Sequence, residues 1–160
     1  MVKLLNAELD QARLNHLVGY AASRAAIELR KTFVRHLGPL ELKVVEFSIL
    51  VLVASNEQVN QKQLGTALGV SAPNMAITLD RLVDRAWVTR VRATHDRRAQ
   101  LIQLTKAGQD LVKRAEKIAA TMENAALRAL SAAERALLIE LLLKVARNRP
   151  ACAPGDSGAE

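Results

Sequence analysis

Cysteine, aromatic residues and long apolar runs are scarce, and each scarcity closes off a class of protein. The one cysteine, Cys152, lies in a tail with Pro150, Pro154, Gly155, Ser157 and Gly158, so no intramolecular disulfide can staple the fold. That tail composition cannot bury a core, and residues 149–160 are expected to be disordered. Aromatics make up 2% of a chain that is 50% hydrophobic, and Ala and Leu dominate, which is the composition of packed helices rather than of a sandwich or barrel. No apolar run approaches the roughly 18 residues of a membrane span. Even Val44–Ala54 is interrupted by Glu46 and Ser48. The first residues, Met1 to Glu8, lack the apolar core of a signal peptide, and a cytoplasmic protein is expected. His16, His36 and His95 are far apart, without ligand partners at metal-binding spacing, so no metal or cofactor is expected. With no Ser/His/Asp motif, no phosphate-binding glycine loop and only scattered carboxylates, the chain does not read as an enzyme.

Negative charge is also in short supply. Against 23 Lys and Arg stand 16 Asp and Glu, a net charge of +7 on 160 residues. A basic surface concentrates on polyanions, so nucleic acid is the first partner class and an anionic membrane the second.

What is present is mostly helical. From about Gln11 to His36 the residues Leu14, Val18, Ala21, Ala25, Leu29 and Phe33 recur at helical spacing, and Gly38-Pro39 stops the helix. The Ala-rich stripe admits close approach of another backbone, within the chain or across a dimer. A second helix, about Leu40 to Ala54, is apolar on more than one side, as a buried scaffold is. Asn60-Gln61-Lys62-Gln63 reads as a capping box opening a short helix to Leu68. Gly69 can take the left-handed conformation that ends that helix, and Ser71 can cap the next, to about Ala86. Two short segments rich in β-branched residues follow, Val88 to Arg92 and Gln100 to Leu104. Thr105 can cap a long helix to about Leu130, and Ser131 to Glu134 is a capping box opening a Leu-rich last helix.

Two features carry chemistry. Asn74, Thr78, Arg81 and Arg85 fall at i, i+4, i+7 and i+11, one stripe set opposite Met75, Leu79 and Leu82. Asn can pair with adenine and Arg with guanine, while Thr offers a hydroxyl and a methyl, on the second helix of a sharply turned pair. Any amphipathic helix has a polar face, so the stripe alone is ambiguous. The hairpin adds Arg90, Arg92, Arg97, Arg98 and Lys106 against Asp96 alone, either a nucleic-acid contact or a solvated charged loop.

The stretch Leu79-Asp80-Arg81-Leu82-Val83-Asp84-Arg85-Ala86-Trp87-Val88, with Asp96-Arg97-Arg98 and Leu104-Thr105-Lys106-Ala107-Gly108, closely resembles the MarR family of multiple-antibiotic-resistance-type regulators. The similarity runs from about residue 10 to 147 and is weakest in the first helix. It implies a mostly α winged helix-turn-helix fold of six helices and a β-hairpin wing, in a homodimer that binds double-stranded DNA at an inverted repeat. Residues 1–38 and 105–148 would form the dimerisation bundle and residues 39–104 the DNA-binding unit. By the same resemblance Ser71, Pro73, Asn74, Thr78 and Arg81 lie at or near the major groove, with Arg85 further along their stripe. Arg97 and Arg98 belong to the wing, and Asp96 can restrain its loop through an Asx-type turn.

Relatives of this kind commonly lose DNA affinity to a small aromatic acid, a metal or an oxidant. The first helix has no cysteine and no metal-ligand cluster stands out, which leaves an organic anion as the expected effector of a repressor. His16, Tyr20, Arg24 and His36 are the candidate effector contacts, although the first three lie nearly opposite the Ala-rich stripe, which favours solvation or a subunit contact for them. The competing reading from another class is a helical dimeric interaction module without DNA binding.

Overall fold

The computed structural model describes residues 9–92 and 100–147. The chain divides into two compact units, Met1–Glu123 and Asn124–Glu160. In the first, helix α1 spans Val18–Leu37, a 3₁₀ turn covers Gly38–Leu40, and helix α2 spans Val44–Ala54. Strand β1 (Val59–Asn60) leads into α3 (Gln61–Leu68) and α4 (Ala72–Asp84). Strands β2 (Val88–Arg92) and β3 (Gln100–Leu104) precede α5 (Lys106–Met122). The second unit contains α6, Ala132–Arg147.

Local signals account for most of these boundaries. Asn60 and Gln63 form a reciprocal capping box, each side chain bonded to the other's backbone N–H at 2.9 Å. Gly69 ends α3 at φ 65°, the left-handed conformation that glycine adopts without a Cβ penalty. Thr105 caps α5 by accepting from the Gly108 N–H at 3.0 Å. Ser131 and Glu134 form the reciprocal cap of α6. Glu134 is held below the ordinary carboxyl range, chiefly by the Ser131 backbone N–H and then by its hydroxyl.

Three expectations about extent change. The first helix begins at Val18, not near Gln11, because the preceding residues form separate turns such as Leu14 N–H to the Gln11 carbonyl. The second begins at Val44, after the Gly38-Pro39 turn and a left-handed Glu41 at φ 56°. The helix after Thr105 stops at Met122 rather than near Leu130.

The sheet is antiparallel in the order β1-β3-β2, with Val59 opposite Ile102 and Ile102 opposite Arg90. Strand β1 is two residues long, too short to show alternation in sequence, and the pairing with β3 creates it. The core joins Phe33 and Leu37 of α1, Ile49 and Leu50 of α2, Leu64 of α3, Met75, Leu79 and Leu82 of α4, and Leu111, Val112 and Ala115 of α5. Phe33 and Phe47 meet with ring centroids 5.8 Å apart, a tilted contact. Apolar surface is nevertheless left over. Leu14, Val18, Ala21 and Ala25 of the expected α1-region stripe are exposed, and α6 has no buried residue although it carries Leu137, Leu138, Leu141, Leu142 and Val145.

Candidate nucleic-acid interface

The pair α3–α4 is closed by backbone contact. Val70 N–H donates to the Gly65 carbonyl at 3.0 Å, and a Cβ built on Gly65 would lie 3.0 Å from the Val70 carbonyl oxygen, a close approach that any side chain there would crowd. Gln61 Nε2 also bonds the Ala72 carbonyl at 3.3 Å, tying the start of α3 to the start of α4. Ser71 sits at the N-cap position with extended backbone, but its side chain makes no capping bond; Pro73 occupies the first turn, where a missing N–H costs nothing.

Rotation of α4 about its axis is fixed by Met75, Leu79 and Leu82, all fully buried. This rotation corrects the expected stripe. Thr78 is 6% exposed and its hydroxyl donates to the Asn74 carbonyl at 2.8 Å, so it belongs to the inward side. Arg81 and Arg85 turn back toward the start of α2. Arg81 Nη2 lies 3.6 Å from Glu46, while Arg85 bonds both the Glu41 carbonyl (2.8 Å) and its carboxylate (2.6 Å) and stacks 3.8 Å above the Trp87 ring. The exposed side of α4 instead presents Ala72, Pro73, Asn74, Ile77, Asp80 and Asp84.

Glu46 explains the bend of Arg81. It is 2% exposed, its Oε2 accepts the Lys43 backbone N–H at 3.0 Å, and no other cation is recorded within bridging distance of it among the described residues. A buried carboxylate without a counter-charge is expensive, so the guanidinium is drawn inward, leaving its own Nε buried and unbonded. An acidic residue inside the largely apolar Val44–Ala54 was the visible signal of such a partner, although the sequence does not say which arginine answers it.

The hairpin is joined to the exit of α4. Ala86 takes φ 53°, its N–H donates to Val83 and the Trp87 N–H to Leu82, the paired bonds of a Schellman ending. Thr105 then donates its hydroxyl to the Ala86 carbonyl at 2.6 Å, and its backbone N–H to Trp87 at 3.1 Å. Arg90 of β2 bonds Asp80 of α4 at 2.6 Å, so this arginine of the expected basic hairpin is already neutralised. Arg92 is exposed; Asp96, Arg97 and Arg98 lie outside the described residues.

The expected effector contacts each have their own surroundings in the single chain. The Tyr20 hydroxyl donates to Gln11, His16 and Arg24 are exposed, and His36 Nδ1 bonds the Thr32 carbonyl at 2.9 Å. Because His16 precedes α1, it does not share a continuous helical stripe with Tyr20 and Arg24. An open apolar trough on α1, about 440 Å³, is instead lined by Ile27, Val34 and the cations Arg30, Lys31 and Arg35.

This arrangement is shared with known regulators. The sequence profile of the MarR family matches residues 40–99. The transcriptional repressor CouR bound to a 23-mer DNA duplex is 34% identical over 88% of this chain and 100% of its own, with a TM-score of 0.82. CouR bound to p-coumaroyl-CoA is 32% identical over 89% of this chain and all of its own, TM-score 0.79. The PcaV regulator of Streptomyces coelicolor, in complex with its natural ligand, shares the fold at 24% identity, covering 89% of this chain and 98% of its own with a TM-score of 0.76. A turned helix pair locked to a hairpin, matched along the whole length of CouR, means that the chain belongs to the MarR family of transcriptional regulators.

Proposed function

We propose that the chain is a transcriptional repressor that binds an inverted-repeat duplex as a homodimer, in the cytoplasm and without enzymatic activity, and that an organic anion releases it. The observation that carries this reading is the rigid unit of α3, α4 and hairpin base. The buried Met75, Leu79 and Leu82 and the Thr105 bonds hold an exposed helix face and a hairpin in one fixed relation. An α-helix fits the major groove, and a hairpin beside it reaches the adjoining backbone and minor groove. Ser71, Pro73 and Asn74, at the exposed start of α4, are then the groove residues, with Arg92 at the end of β2 and, by the family resemblance, Arg97 and Arg98 as the wing contacts.

The unburied apolar residues of the α1 region and α6 support a bundle made by residues 1–38 and 105–148 of two copies. Twofold symmetry then calls for half-sites about one helical turn, roughly 10 base pairs, apart. CouR's p-coumaroyl-CoA, an arylacryloyl thioester bearing phosphates, supports an aromatic acid or its thioester as effector class. Such a ligand shifts the dimer only by its differential affinity for the DNA-competent and incompetent spacings of the two α4 helices.

Binding isotherms on a selected duplex and a scrambled one, at several salt concentrations, test the reading. Specific binding should exceed nonspecific binding and fall linearly with log salt. In Arg98→Ala both affinities should drop and the salt slope should become shallower, since fewer counterions are displaced. A dimer indifferent to every duplex at low salt would leave a helical interaction module in its place.

A further inference from the structure

Ile77 is the large apolar side chain exposed on α4, at 58%. Its position follows from the packing of the helix. At 3.6 residues per turn, burial of Met75, Leu79 and Leu82 turns residue 77 almost directly away from the core, between Pro73 and Asp84 on the outward face. Apart from Val44 at the start of α2, the other exposed large apolar residues of the first unit lie in and just before α1, where a second copy is expected to cover them. Nothing of that kind stands beside Ile77. Its neighbour one turn earlier on the same face is Asn74, a side chain suited to adenine.

We propose that Ile77 is a specificity-determining residue that packs against the 5-methyl group of a thymine in each half-site. This rests on the reading of α4 as the helix in the major groove. The methyl is the apolar feature that distinguishes thymine on the groove floor, and an aliphatic side chain recognises it without needing a hydrogen bond. A β-branched side chain on a helix has essentially one χ1 rotamer, so little conformational freedom is lost when it is seated. Together Asn74 and Ile77 select neighbouring A·T pairs, with Asn74 reading the adenine edge and Ile77 the methyl. The two arginines of this helix, Arg81 and Arg85, are engaged with Glu46 and Glu41 instead.

The test is removal of methyl groups one at a time. A preferred duplex is selected from a random pool with the full-length wild-type protein, and each thymine of the half-site is replaced by deoxyuridine, which lacks only the 5-methyl. One position per half-site should weaken wild-type binding about fourfold per methyl, the scale of one buried carbon. Ile77→Ala should bind the unmodified duplex about as weakly as wild type binds the demethylated one, and should be insensitive to that replacement. Because Ile77 is exposed, its alanine variant should melt and sediment as wild type does. Equal methyl sensitivity in the two proteins, or none in either, overturns the proposal while leaving DNA binding intact. Loss of the dimer in Ile77→Ala overturns it as well, by placing the side chain in a protein interface. If no duplex is selected at all, the regulator reading fails and this inference with it.

Discussion

Arg81 shows how one buried charge redirects a side chain that its position alone would send into solvent. Its guanidinium sits 3.6 Å from a carboxylate that is almost wholly buried, while its own side chain remains 43% exposed. Arg81→Ala would strand Glu46 with a single backbone donor, and the urea midpoint should fall by the equivalent of about 1 to 3 kcal/mol. Arg81→Ala combined with Glu46→Gln should recover part of that loss, because no buried charge is left unpaired. Recovery of none would show that the ion pair contributes nothing to the fold. Ala86 supplies the opposite case. It holds φ 53° at the exit of α4, a conformation costly for any residue with a Cβ, so Ala86→Gly should raise stability by about 0.5 to 1 kcal/mol in the same measurement. Gly108 admits no such change. A Cβ there would stand 2.0 Å from the Trp87 carbonyl oxygen, a backbone atom, and Gly108→Ala should destabilise the junction of hairpin and α5.

At the level of elements, α6 owes its start to a reciprocal cap. Glu134 accepts from the Ser131 N–H and hydroxyl, both at 2.8 Å, and these bonds hold its folded pKa below the 4.5 of an unperturbed carboxyl. The sign follows directly. A lowered folded pKa means that the cap is fully present above about pH 4.5 and is lost as the pH falls through the depressed value. Amide protection at the start of α6, corrected for the intrinsic exchange rate at each pH, should therefore fall in acid below that point, and Glu134→Gln should flatten the dependence. An unchanged acid response in the variant would transfer the effect to other carboxyls. The α4–hairpin joint belongs to the same scale. With Thr105 bonded to Ala86 and Arg90 to Asp80, the base of the hairpin follows α4 rather than moving by itself.

For the whole molecule, the exposed leucines of α6 and the uncovered apolar residues of the α1 region set the expected assembly. Burying a leucine is worth about 1.5 to 3 kcal/mol, so several together favour a second copy strongly. Sedimentation should give twice the 17.4 kDa chain mass across micromolar dilution. A concentration-independent monomer would remove both the dimer and the paired half-sites. Titrating aromatic carboxylates and their thioesters into the DNA complex should release the duplex without dissociating the dimer.

The sequence by itself determined what depends on neighbours along the chain. The capping boxes at Asn60 and Ser131, the left-handed Gly69, the limits of β2 and β3 and the apolar side of α4 are all settled within a few residues. Such features are governed by backbone hydrogen bonding and side-chain periodicity, which are local. Tertiary structure decided which polar groups face outward. Thr78 went inward with the rotation of α4, its hydroxyl satisfied by its own helix, and Arg81 and Arg85 turned to carboxylates 35 and 44 positions away along the chain. Ile77 was left on the outward face when Met75, Leu79 and Leu82 fixed the rotation of α4. Charge pairing acts through space, so a stripe drawn on one helix cannot show which of its members another element has already taken.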